Sequence, residues 1–116
     1  MPVAEKLVQA GLLGDAVDGG PALIFVADDE MRYVAVNQTA CTVLGYTRDE
    51  LLAMRVTDVA TDGDASDLYD QLMADRRISG RTGIATKDGR LLRFDYRASE
   101  TTMAGMRFYV AIGFVS

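Results

Sequence analysis

The sequence predicts an α+β domain, a five-stranded antiparallel sheet with short helices on one face, and three observations predict it. Two short apolar runs, residues 22–27 and 31–36, flank Asp28-Asp29-Glu30. Strand-like stretches fill the last third of the chain, from about Arg81 onward. Between the two groups lies a middle third rich in helix-start and helix-stop chemistry, with no alternation of strand and helix that would signal a parallel sheet.

At the N-terminus, Val3 and Leu7 stand one helical turn apart, and Ala4, Val8 and Leu12 continue beside them. This spacing predicts an amphipathic helix. Pro2 suits its first turn, and Gly11 and Gly14 are expected to fray or end it. Asp18-Gly19-Gly20-Pro21 breaks the pattern, so residues 1–18 are expected to be a flanking helix and linker, and residues 19–116 the main domain.

Residues 22–27 form a continuous apolar run, short for a helix and bounded by Gly-Pro and acidic residues, which favours a buried strand. In residues 31–36, Tyr33, Val34 and Val36 supply β propensity, and the acidic triplet between the runs fits a hairpin turn. Asn37 is placed to cap a helix over residues 38–44 through the N–H of Thr39 or Ala40, with Gly45 closing it. Thr47 and Glu50 have capping-box spacing, which predicts a helix through Leu51, Leu52 and Met54. Asp64 or Ser66 is expected to cap a further helix with Leu68, Leu72 and Met73 on one face, ending before Ser79-Gly80.

The last third changes period. Residues 92–98 alternate apolar and charged side chains, the mark of a strand with one wet face. Met106, Phe108, Val110, Ile112 and Phe114 repeat the period, and Lys87-Asp88-Gly89 marks a hairpin back to a strand near residues 81–86.

The bulk composition narrows the function classes. A chain of 116 residues, 49% hydrophobic and 25% charged, is ordinary for one globular domain. A net charge of −5 argues against nucleic acid, whose binding draws on clustered Lys and Arg. Cys41 is the single cysteine, so no intrachain disulfide forms and the cytoplasm is the expected compartment. No stretch approaches the ~18 consecutive apolar residues of a membrane helix, so no membrane partner is expected.

The run Gly20-Pro21-Ala22-Leu23-Ile24-Phe25-Val26-Ala27-Asp28-Asp29, then Tyr33-Val34-Ala35-Val36-Asn37, then Leu44-Gly45-Tyr46 with Glu50-Leu51-Leu52, resembles a PAS domain in order and spacing. The resemblance extends from about Pro21 to about Val115. It implies a five-stranded antiparallel sheet with helices packed on one face, often around a pocket. It further implies a sensory or dimerisation module that passes a signal to an effector, whose identity the sequence does not give.

Each sensing chemistry of that family can be tested on the residues. The chain has no histidine, which excludes His-ligated haem and any phosphoacceptor histidine within it. Met73 and Met106 read as core fillers rather than haem ligands. Cys41 lies in Asn37-Gln38-Thr39-Ala40-Cys41-Thr42, without the Asn-Cys-Arg-Phe motif of light-sensing flavin domains, so flavin is unsupported and Cys41 reads as a small buried hydrophobe. Asp62, Asp64, Asp67 and Asp70 lack the spacing of a Ca²⁺ loop, and no metal site is expected. No catalytic motif is present, so no enzyme and no catalytic residue is expected.

The candidate ligand site is therefore an apolar pocket. Its expected lining is Leu92, Phe94, Tyr96, Phe108, Val110 and Ile112 from the strands, facing Leu68, Tyr69, Leu72 and Met73, with Tyr96 or Tyr69 as polar handle. A close-packed core is the simpler account of the same stripes. Val3, Leu7, Val8 and Leu12 are the candidate dimer-helix residues, with the outward face of the last strand, Tyr109, Ala111 and Val115, as the surface that receives them in the same chain or in a second copy. The expected function is a non-enzymatic sensory module that binds a small apolar ligand, forms a homodimer, or both. A ligand-free association scaffold is the alternative, and a small α+β enzyme with a cone-shaped pocket a distant third.

Overall fold

The computed structural model describes residues 14–61 and 77–116, the side chains at 77 and 78 excepted. The expected stripe Val3, Leu7, Val8, Leu12 and the expected helix bearing Leu68, Tyr69, Leu72 and Met73 lie outside the described residues.

Five strands, β1 (Leu23–Ala27), β2 (Tyr33–Val36), β3 (Arg77–Ala85), β4 (Leu91–Met103) and β5 (Met106–Val115), form one sheet in the order β2-β1-β5-β4-β3, with every pairing antiparallel. The last strand is thus the central one. Three short helices follow β2: α1 (Gln38–Leu44), α2 (Arg48–Leu52) and α3 (Val56–Val59).

The helix termini follow local chemistry. Asn37 Oδ1 accepts the Ala40 N–H at the start of α1, and Gly45, at φ +81°, donates its N–H to the Cys41 carbonyl in the left-handed conformation that glycine adopts without a Cβ penalty. The Thr47 hydroxyl accepts the Glu50 N–H, and the Glu50 carboxylate accepts the Thr47 N–H, completing the capping box of α2. Backbone bonds then tie helices to sheet: the Tyr33 N–H reaches the Met54 carbonyl, the Val56 N–H the Met31 carbonyl, and the Lys87 N–H the Leu44 carbonyl.

Three expectations need correction, and one element is new. Residues 14–18 are helical, so Gly14 itself lies in a helix, and that helix stops at Gly19, whose N–H bonds the Asp15 carbonyl. Helix α2 ends at Leu52, and Met54 lies beyond it because its carbonyl pairs with strand β2. The turn α3, with the Arg55 N–H bonded to the Asp58 carboxylate, was not anticipated. Strand β3 begins at Arg77 and carries Ser79 and Gly80 within it.

Leu23, Phe25, Phe94, Tyr96, Ile84 and Tyr109 from the sheet pack against Ala40, Cys41, Leu44, Leu51 and Val59 from the helices. Leu23, Leu44, Leu51 and Val59 are sealed from solvent, each worth about 1.5–3 kcal/mol of transfer free energy. Among the described residues, the interior lies on one face of the sheet.

Candidate functional site

Register decides which side chains face the helices. Opposed residues share a face, and β4 pairs with β5 through Phe94↔Val115, Tyr96↔Gly113 and Ala98↔Ala111, while β1 pairs with β5 through Phe25↔Ala111 and Ala27↔Tyr109. The inner face of β5 is therefore Tyr109, Ala111, Gly113 and Val115, with Tyr109 and Gly113 buried.

This reverses the expected phase of the last strand. Phe108, Val110 and Ile112 were expected to face the helices, with Tyr109, Ala111 and Val115 outward; the structure places each set on the other face. Ile112 is 45% exposed and Phe114 57% exposed. The cause is composition: β5 is apolar on both sides, so its alternation has a period but no sign. On β4 the alternate positions are charged, and Leu92, Phe94 and Tyr96 face inward as expected.

The inner face carries an aromatic layer. The Phe94 and Tyr96 rings are stacked with centroids 5.5 Å apart, Phe25 meets Phe94 edge-on at 5.6 Å, and Phe25 lies 5.4 Å from Tyr33. Burial pushes the Tyr33 and Tyr96 phenols above their ordinary range, so both stay neutral. Tyr96 is 9% exposed, and its hydroxyl is the buried side-chain polar atom among the described residues that has no hydrogen-bond partner. Such an orphan costs about 1–3 kcal/mol relative to a satisfied group. Tyr96 also sits between two glycines: Gly80 is its partner on β3 and Gly113 its partner on β5. A Cβ at Gly80 would lie 3.0 Å from the Tyr96 hydroxyl, so the ring leans over β3 and a side chain at residue 80 would push it aside by a few tenths of an ångström.

The outer face is a broad open concavity floored by Val110, Ile112 and Phe114 and bordered by Ser79, Arg81 and Arg97. Ile24 and Val26, opposite Ile112 and Val110, extend the apolar strip onto β1. Arg81 and Asp95 form an ion pair at its polar edge.

A third cluster joins the flanking segment to the domain. The Asp18 carboxylate accepts the Gln38 N–H at 2.9 Å and pairs with the Arg48 guanidinium at 2.7 Å, and Arg48 Nε donates to the Val36 carbonyl at 3.2 Å. Asn37 Nδ2 donates to the carbonyls of Val17 and Ala22, both at 2.8 Å. Sequence reasoning singled out Asn37 as a helix cap but missed this second role, because no local pattern shows that Val17 returns to it.

Cys41 is buried, and burial pushes its thiol up against the opposing pull of Arg48, as suits a packing residue. Among the described residues no cluster of three or more His, Cys, Asp or Glu could hold a metal ion, and Asp62, Asp64, Asp67 and Asp70 lie outside them. Nor is any described helix long and apolar enough to cross a membrane.

The sequence profile of the PAS domain matches residues 21–115. No curated protein matches the chain. Among solved structures, a PAS domain from a two-component sensor histidine kinase is similar at 16% identity, over 96% of this chain and 99% of that one, with a TM-score of 0.84. The PAS domain of an HTR-like protein from Haloarcula marismortui is similar at 23% identity over the whole of both chains, with a TM-score of 0.83. That of nitrogen regulation protein NR(II) from Vibrio parahaemolyticus follows at 15% identity, covering 90% of this chain and 98% of that one, with a TM-score of 0.76. At these identities the likeness is one of fold.

Proposed function

The chain belongs to the PAS domain family, and on that premise we propose that it is a non-enzymatic sensory module of a regulatory protein that pairs with a second copy of itself. One observation carries the reading: the central strand β5 is apolar on both faces, and its outer face holds Ile112 and Phe114 about half exposed in a continuous strip with Val110, Ile24 and Val26. An apolar strip with a polar rim is a surface that gains by being covered.

The occupant in this reading is the flanking helix of the second copy, presenting Val3, Leu7, Val8 and Leu12. The described end of that helix, residues 14–18, is fixed to the domain through Val17 and Asp18, so a change in how the helix docks reaches β2 and α1 directly. Sensing then means that ligand or partner favours one docking arrangement over another, since equal affinity for both shifts nothing. The cytoplasm is the assigned compartment, where a lone thiol stays reduced. The test is light scattering of the full chain carrying Leu7→Asp and Leu12→Asp: a monomer is expected, and an unchanged dimer mass would remove the helix from the interface.

A second reading, compatible with the first, is favoured by the orphaned Tyr96 hydroxyl: the inner aromatic layer takes a small ligand. A ligand-free scaffold is its competitor. Native mass spectrometry of the purified chain separates them, an added mass supporting the ligand and bare chain counting for the scaffold.

A further inference from the structure

We infer that Arg97 fixes the direction in which the second copy's flanking helix lies on the outer face, by pairing with the Glu5 carboxylate of that helix. This rests on the reading that the helix covers that face, and it adds the residue that orients it.

Arg97 stands opposite Ile112 across β4 and β5, so the two share the outer face, and the guanidinium borders the apolar strip midway between Val110 and Phe114. Two arginines line the concavity, both exposed, and they differ in their company. Arg81 is neutralised by Asp95, whereas Arg97 makes no ion pair among the described residues. The chain as a whole carries a charge of −5, so this border is a local reversal of sign. A partner laid on the strip meets an uncompensated cation at its rim, where an acidic side chain is attracted and a basic one repelled.

The flanking segment has one side chain of each sign to offer. Within residues 1–14, Glu5 is the single acidic residue and Lys6 the single basic one. At the helical spacing expected there, Glu5 precedes Val8 by three residues and Leu12 by seven, and borders that side of the stripe. Lys6 follows Val3 by three residues and borders the other side. The stripe from Val3 to Leu12 extends about 14 Å along a helix and Val110 to Phe114 about 14 Å along a strand, so the two apolar lengths match.

An apolar helix face can be laid on an apolar strip in either of two directions. Turning the helix end for end exchanges its margins, so one direction presents Glu5 to Arg97 and the other presents Lys6. The first forms an ion pair, repeated twice in a two-fold dimer, and the second sets like charges together. Apolar contact does not separate the two directions; Arg97 does.

The test joins a double-variant cycle to a cross-link, both on the full chain. In sedimentation equilibrium at low salt, Arg97→Gln and Glu5→Gln are each expected to weaken the dimer about three- to tenfold, which is what two rim ion pairs allow. The double variant is expected to be no weaker than either single one. Arg97→Lys places a primary amine at residue 97. A carbodiimide condenses that amine with a touching carboxylate to an amide, taking up the water released as its own urea. The expected product is a covalent dimer in which mass spectrometry finds residue 5 joined to residue 97. Unchanged affinity in either single variant, single effects that multiply in the double one, or no link between residues 5 and 97 of different chains overturns the pairing. The helix reading then stands so long as Leu7→Asp with Leu12→Asp dissociates the dimer. A native monomer, a dimer that those aspartates leave intact, or a 5–97 link formed within one chain overturns both.

Discussion

The Asn37 side chain holds the Val17 carbonyl at 2.8 Å, across 20 residues of sequence, while also bonding the Ala22 carbonyl and the N–H groups of Ile24 and Ala40. Both donors and both acceptor positions are used, so one buried carboxamide joins the flanking helix, β1 and α1. Asn37→Ala leaves several of these backbone groups unmet and is expected to cost about 3 kcal/mol in urea unfolding. Asn37→Asp keeps the shape but replaces a double donor with an acceptor facing two carbonyls, and is expected to be at least as costly at neutral pH.

The Asp18–Arg48 pair acts locally. Both side chains are about half exposed, so the pair contributes at most about 1 kcal/mol to global stability. Asp18→Asn is expected to leave the unfolding midpoint nearly unchanged while weakening the bond to the Gln38 N–H. Hydrogen exchange should show faster exchange at Gln38, and a large fall in global stability would show that the pair is structural.

Glu50 makes stability depend on acid. Its carboxyl is held below the ordinary range chiefly by the hydrogen bond from Lys87, then by that from the Thr47 N–H. A carboxyl lowered in the folded chain contributes stability that is fully present above its unfolded value, about 4, and lost as pH falls through the lower folded value. Glu50→Gln is expected to flatten that part of the acid limb in urea midpoints measured from neutral pH downward, and an unchanged profile would contradict the assignment.

At the β4–β5 hairpin, Ala104 has φ +53° and Gly105 φ +77°, the conformation of a type I′ turn. Alanine is strained there by about 1 kcal/mol, and asparagine tolerates the left-handed region better. Ala104→Asn is expected to raise the unfolding free energy by about 0.5–1 kcal/mol, measured by thermal or urea unfolding.

That turn also explains what the sequence could and could not reveal. Helix caps were legible at Asn37, Gly45, Thr47 and Glu50 because each bond closes within four residues. The face of β4 was legible because Arg93, Asp95 and Arg97 mark the wet side. The face of β5 was not, since Phe108 and Tyr109 are both suitable core residues. The signal that would have fixed it is the two-residue turn at Ala104-Gly105: pairing Met103 with Met106 carries the inward Phe94, Tyr96 and Ala98 to Val115, Gly113 and Ala111. The orphaned Tyr96 hydroxyl and the return of Val17 to Asn37 depend on contacts between distant segments, which no local pattern encodes.

The proposed dimer forms through the outer face of β5. Light scattering of the full chain with Ile112→Lys and Phe114→Lys tests it most directly, because both positions are exposed and the fold should survive, as far-UV circular dichroism can check. Twice the 12.6 kDa chain mass is expected for the native protein and the single mass for the double variant. A native monomer, or a double variant that keeps the dimer mass, would contradict it.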